Sequence, residues 1–382
     1  MTDLTQAGGD VLAPSHDPAK GHYDDIRGRN LALDMTRGKP SAAQLDLSDA
    51  LLTNVTVEDV RDDDGTDLRN YGGLAGTPAC RKLFGEYLGV PADQVVIGGN
   101  SSLQMMYGVL ARAMTFGVVG GKGPWRDEGA TVICPVPGYD RHFAICEELG
   151  LDMVSVDMKD DGPDMDAVEE LVKDPKVKAI WCVPKYSNPT GATYSDAVVE
   201  RLAKMKAAAP DFRILWDNAY AVHHLGQGLD TVADILTVCE KAGCPDRPFI
   251  FGSTSKITYA GAGIAVFAGS KANVKDALDH LFFETIGPDK ITQLRQVKFF
   301  KDMDGILAHM DGHAKLCAPK FKAVDDALTK HLAGKGFATW TRPKGGYFVS
   351  LDVLDGCAKE VIRLAGEAGV KLTPAGRSES VV

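Results

Sequence analysis

The sequence predicts an α/β fold: a large domain built on a mostly parallel seven-stranded sheet, with a smaller α+β domain beside it. Three observations carry this. Between about residues 71 and 270, short apolar runs alternate with longer amphipathic stretches, the pattern of strands and helices wound about a parallel sheet. Each apolar run is bounded by Gly, Pro, Asn or Asp, the residues that punctuate such elements. After about residue 271 the pattern changes to long helices and a single strand-like segment.

In chain order, strands are expected at residues 95–98, 131–134, 153–156, 179–183, 213–216, 249–251 and 264–268. Several run directly into polar clusters, and open α/β sheets bind ligands outside the carboxyl ends of their strands. Helices are expected at 271–283 and 293–322, then a strand at 345–352 and a helix at 357–367. The segment before residue 71 contains the loop-rich stretches DMTRGKPS and RDDDGTDLRNYGG and is expected to pack with the smaller domain. The division is a large domain over 71–290 and a smaller one made of 1–70 and 291–382, with no internal repeat or low-complexity linker.

Composition narrows the function. The chain has 382 residues, 45% hydrophobic and 25% charged, enough apolar material for a large core or for two. Its net charge of -10 is spread along the chain without a run of Lys or Arg, so no nucleic-acid or anionic-membrane partner is expected. The start MTDLTQAGGDVLAPSHDPAKGHYDD lacks the basic and apolar regions of a signal peptide, and no apolar run is long enough to span a bilayer. A cytoplasmic location is therefore expected. The eight cysteines, at 80, 134, 146, 182, 239, 244, 317 and 357, form no C-x-x-C pair and have no His at ligand spacing, which argues against a metal site.

Three segments carry chemistry. In FGSTSKITYAGAG, Lys256 follows a strand within a Ser/Thr-rich turn, and the glycines after it allow close approach of a ligand. Alone, such a lysine is ordinarily a solvated surface charge. In KAIWCVPKYSNPTG a strand ends in Asn188-Pro189-Thr190-Gly191, and in RILWDNAY another ends in Asp217 with Tyr220 three residues on. Taken singly, these read as a turn before a helix and as an N-cap with a packing tyrosine.

In the order N-P-T-G, D-x-x-Y, S-x-x-K, with about thirty and forty residues between them, the segments resemble the fold-type-I pyridoxal 5'-phosphate (PLP) aminotransferases of the aspartate aminotransferase superfamily. Upstream, GGNSSLQMMYGVL resembles the family's phosphate-binding helix start, CPVPGYDRHF its aromatic-bearing loop and YGGLAGTPACRKLF its Y-x-x-x-x-G segment. The likeness runs from about residue 34 to 374. The wording TRGKPS, GGNSSLQMMY and IGPDKITQLR looks most like the divergent bacterial aspartate aminotransferases.

The resemblance implies a role for each matching position. Lys256 would carry PLP as a Schiff base and, once freed, move the proton at the substrate Cα. Asp217 would pair with the pyridinium nitrogen, and Tyr220 and Asn188 would hydrogen-bond the 3' oxygen. Tyr139 would stack on the ring. Ser101, Ser102 and Ser253 would offer donors to the phosphate, the first two at a helix N-terminus that favours an anion. Tyr71 would reach the phosphate of a neighbouring subunit, which implies a homodimer. Gly38 and Asn188 would lie beside the substrate. The implied reaction moves an amino group from an L-amino acid, with aspartate the expected donor, to a 2-oxo acid such as 2-oxoglutarate. A PLP-dependent β-lyase, or a PLP-binding protein with impaired turnover, would share the same cofactor residues.

Two positions depart from the family pattern. Where the family carries a phosphate-binding Arg eight residues after the lysine, this chain has Ile264, and Lys290 is the candidate replacement cation. Beyond LTPAG the family continues to an Arg that grips the substrate α-carboxylate, whereas here Arg377 follows the motif at once, too early to match it. Arg37 and Lys39 flank Gly38 and are cations within reach of a distal substrate carboxylate.

Overall fold

The apolar runs between residues 95 and 268 form one sheet in the computed structural model, which describes residues 9–373. The strands are β1 (Leu33–Asp34), β2 (Val95–Ile97), β3 (Thr131–Val136), β4 (Asp152–Lys159), β5 (Gly162–Pro163), β6 (Val177–Cys182), β7 (Arg213–Asp217), β8 (Pro248–Ser253), β9 (Ala265–Ala268), β10 (Ala338–Trp340), β11 (Leu351–Val353) and β12 (Val370–Lys371). The central sheet has the order β2-β9-β8-β7-β6-β3-β4-β5, parallel from β8 through β4 and antiparallel at its margins. All seven expected strands belong to it. The sheet has eight strands rather than seven, because Gly162–Pro163 turns back on Lys159 and pairs with the end of β4.

Helices cover both faces, so the middle strands are buried throughout and their side chains alternate between two cores. Ile180, Ile214, Ile250 and Val266 enter one core; Trp181, Leu215, Phe251 and Phe267 enter the other. The parallel register brings the carboxyl ends of β6, β7 and β8 to one edge of the sheet, with Asp217 opposite Phe251. Asn188, Asp217 and Ser253 follow from those three ends.

Elsewhere the structure amends the sequence reading. Residues 9–28, for which the sequence suggested no element, form the helix Gly9–Gly28. The single helix expected over 293–322 is two, Lys290–Phe300 and Met303–Leu332. They separate where Lys301 takes a left-handed φ of 68° and Asp302 caps the second helix by accepting from the Gly305 N–H. The strand expected over 345–352 is reduced to Leu351–Val353, paired with β10. Its first residues serve another contact: the Gly346 N–H donates to the His223 carbonyl at 2.8 Å, and the Leu225 N–H to the Lys344 carbonyl at 2.9 Å. The helix Ala358–Glu367 forms close to where it was expected, with Cys357 at its N-cap position.

Among the described residues no helix is long and apolar enough to cross a membrane, and no group of three or more His, Cys, Asp or Glu is arranged to hold a metal ion. Pro374 and Arg377 lie outside the described residues.

The crossing at Gly345 is tight. A Cβ there would lie 2.4 Å from the His223 carbonyl oxygen and 2.4 Å from the Tyr186 ring. Gly345→Ala is expected to destabilise the fold by about 1–3 kcal/mol through overpacking, read as a lower urea midpoint at unchanged m-value.

Candidate active site

Lys256 sits on a single helical turn that follows β8. The Ile257 and Thr258 N–H groups both donate to the Thr254 carbonyl, at 3.0 and 2.9 Å, and the turn goes no further. It aims the Lys256 amine at Tyr220: Nζ donates to Oη at 2.5 Å and lies 4.1 Å from the centre of the phenol ring. Desolvation lowers the pKa of this amine, against the opposing pull of Tyr139 and Asp217. Burial, aided by the charge of Asp217, pushes the Tyr220 phenol well up, so Tyr220 is a neutral hydroxyl facing an amine that deprotonates more readily than an exposed lysine.

Asp217 closes β7 and is 3% exposed. Its Oδ2 is 2.9 Å from His142 Nε2, while Oδ1 is buried with no hydrogen-bond partner among the described residues. His142 lies flat on Trp181, centroids 4.0 Å apart and planes 4° apart, and takes the edge of Tyr139 at 5.0 Å. Tyr139, His142, Trp181 and Asn188 line one small cleft. A larger groove, lined by Lys82, Glu86, Gln94 and Glu240, contains none of the candidate residues. A buried carboxylate oxygen without a donor is costly, and a protonated ring nitrogen is the kind of group that satisfies it. The lining of the cleft includes neither Asp217 nor Lys256, so the fit to a pyridine ring rests on this oxygen.

The helix Ser102–Phe116 starts beside this turn. Ser101 caps it by accepting from the Gln104 N–H at 3.2 Å, and Ser102 is its first residue, so first-turn N–H groups are available to an anion. The two segments are tied together: Ser255 Oγ donates to the Asn100 carbonyl at 3.2 Å, and Asn100 Nδ2 to the Ala260 carbonyl at 3.0 Å. Ser253 is buried at the end of β8, where its Oγ accepts from the Ser255 N–H. Ile264 is buried, so this position supplies no cation.

Lys290 is not free for the phosphate role considered for it. It is 6% exposed, and its ammonium donates to the Asn70 and Gly72 carbonyls at 2.5 and 2.9 Å. It thus braces the loop from which Tyr71 projects, 84% exposed. Gly38 packs against Phe348 and Tyr347, with a Cβ there meeting the Phe348 ring at 2.5 Å, and Arg37 and Lys39 are exposed on either side.

Sequence reasoning missed His142, although its place three residues after Tyr139 puts the two on one helix face. It also missed Trp181, Asn100 and Ser255, for which the sequence carried no comparable signal.

An α/β sheet with these groups at its carboxyl edge defines the class: a fold-type-I aminotransferase. The family model for aspartate amino-transferase matches residues 8–379, and the chain belongs to that family. It is 50% identical over 364 residues to an aspartate aminotransferase of Corynebacterium glutamicum, spanning 95% of this chain and 84% of that protein. The crystal structure of an aspartate transaminase from the same organism superposes with a TM-score of 0.96 at 48% identity, covering 99% of this chain and 89% of that one. An α-aminoadipate aminotransferase from Thermus thermophilus shares the fold at 21% identity, with a TM-score of 0.72 over 92% of this chain and 85% of its own. The chain is an aminotransferase, acting on amino acids and oxo acids.

His142→Leu would remove the donor to Asp217 Oδ2, leaving both carboxylate oxygens unpartnered among the described residues. The apo protein is expected to lose about 1–3 kcal/mol of stability. Chemical denaturation at neutral pH measures this, with Trp181→Phe as the control that keeps an aromatic surface under residue 142.

Proposed function

We propose that this aminotransferase takes its amino group from L-aspartate, passes it to a 2-oxo acid such as 2-oxoglutarate, and does so with PLP held at Lys256. The observation that carries the reading is the pairing of a desolvated Lys256 amine on Tyr220 with the unpartnered Oδ1 of Asp217. When bound, PLP supplies an aldehyde for the amine and a ring that accepts the electrons released at the substrate Cα.

The chain's own residues then have these tasks. Asp217, oriented by His142, holds a proton on the ring nitrogen. Tyr220 and Asn188 hydrogen-bond the 3' oxygen, and Tyr139 covers the ring. Ser101, Ser102 and Ser253 bind the phosphate with hydroxyls and helix N–H groups. Lys256 Nζ, its pKa lowered by burial, takes the proton from Cα and returns it. Gly38 and Asn188 lie beside the substrate, with Arg37 and Lys39 available to the distal carboxylate of aspartate. Tyr71, braced by Lys290, serves the phosphate of a second copy in a homodimer. Residues 71–290 form the PLP-binding domain, and 1–70 with 291–382 the smaller one.

The PLP-loaded protein is expected to show a visible absorbance band that moves on adding aspartate and returns on adding 2-oxoglutarate, with glutamate formed. Lys256→Ala should abolish both changes. A band unmoved by aspartate, or pyruvate and ammonia released from a β-substituted amino acid, would refute the assignment. Arg37→Ala is expected to lower kcat/KM for aspartate about tenfold more than for alanine. Equal losses would remove Arg37 from the substrate site.

A further inference from the structure

The turn that bears Lys256 stops after one winding, so among the described residues the Lys256 and Ile257 carbonyls receive no backbone donor. Each is met by an imidazole instead. His223 Nε2 lies 3.2 Å from the Lys256 oxygen, and His309 Nε2 lies 2.8 Å from the Ile257 oxygen. A carbonyl only accepts, so both Nε2 atoms carry protons.

His309 stands on the helix Met303–Leu332, and the contact continues one helical turn along it. His313 Nε2 is 3.2 Å from His309 Nε2 and also faces the Ile257 carbonyl, which has two lone pairs to offer. On its other side, His313 Nδ1 is 3.0 Å from Gln44 Nε2. The orientation of the Gln44 amide follows from its far end, where Oε1 accepts from the Ser41 N–H at 3.0 Å. The amide nitrogen therefore donates, both to His313 Nδ1 and to Tyr347 Oη at 2.9 Å. Tyr347 in turn lies against Gly38. Gln44 and His313 are only 2% and 3% exposed. Two imidazoles thus converge on the carbonyl next to Lys256: His309 donates to it directly, and His313, which faces the same oxygen, is linked through Gln44 to the loop holding Gly38.

Buried polar groups in this number cost stability unless they are fully paired, and apolar side chains of the same size would pack there at less cost. Burial also holds both imidazoles below their ordinary pKa, His313 at about 4, so they work as neutral donors and acceptors of fixed tautomer. We propose that Gln44, His313 and His309 are positioning residues that tie the Gly38 loop to the lysine turn, so that seating of the loop sets the aim of Lys256 Nζ. The proposal rests on Lys256 being the cofactor-bearing lysine.

The test compares His309→Leu, which removes the donor, His309→Gln, which restores an N–H at similar reach, and Gln44→Met, which removes the amide at equal length. Three quantities are read: the midpoint of the absorbance pH titration of the PLP-loaded protein, the rate of PLP capture by apo protein fixed with borohydride on the Lys256 peptide, and kcat against KM for aspartate. His309→Leu and Gln44→Met are expected to displace the midpoint by about one unit and to lower capture rate and kcat about tenfold or more, with KM within about twofold. His309→Gln is expected to recover most of each. Parental titration, capture and kcat in a folded His309→Leu or Gln44→Met variant would overturn the proposal. If neither apolar variant folds, His309→Gln decides: parental values support the proposal and displaced ones overturn it. A parent protein that fixes no PLP on Lys256 would instead refute the cofactor reading.

Discussion

The site depends on one constraint: a carboxylate, Asp217, held in the end of a fully buried strand. Isolated in an apolar interior, such a group would shed its charge or unfold its surroundings. His142 supplies one hydrogen bond, and its ring is fixed by stacking flat on Trp181. Trp181 is held in turn, donating through Nε1 to Cys146 Sγ at 3.3 Å. Because Trp181 stands on β6 and Asp217 on β7, the arrangement depends on the register in which Trp181 pairs with Leu215 and Cys182 with Trp216. A slip of one residue would turn Trp181 to the opposite face and remove the platform under His142.

The same sheet geometry explains why residues so distant in sequence meet. Parallel strands joined by helices deliver their carboxyl ends to one edge, so Asn188, Asp217 and the Lys256 turn are set by three neighbouring strands. Their side chains then perturb one another. The Lys256 amine is pulled down by desolvation and the Tyr220 phenol pushed up by it, two shifts of opposite sign from the same burial. Both shifts favour the uncharged form of each group, which is the form that the proton-accepting role proposed for Lys256 requires.

The sheet was legible because its strands are long apolar runs flanked by breakers, a pattern that survives without knowledge of packing. The errors fall where local signals compete with contacts. Residues 293–322 keep one helical period, and only the left-handed Lys301 with the Asp302 cap divides them. The run from Gly345 reads as strand, yet its glycines are there to let backbone pass Tyr186 and His223. Among the candidate residues, those in short ordered motifs, Asn188, Asp217, Tyr220 and Lys256, could be named. His309, His313 and Gln44 could not, since a histidine on a helix gives no indication that its partner is 269 positions away.

Lys290 shows how charge and role can part. Its position in GPDK and its cationic side chain made it a candidate for the phosphate that Ile264 leaves without an arginine. Burial decides otherwise: a lysine at 6% exposure must spend its donors on whatever lies in reach, and here that is a pair of loop carbonyls. The energy of those two charge-assisted bonds goes into the shape of the 70–73 loop, which Gly287 closes from the other side, its Cβ position 2.5 Å from the Gly72 oxygen. The cation therefore acts through geometry, fixing where Tyr71 leaves the surface. In the function proposed above, phosphate binding within one copy of the chain falls to the hydroxyls and the N-terminus of the helix Ser102–Phe116, whose partial positive charge is smaller than that of a guanidinium but oriented before any ligand arrives.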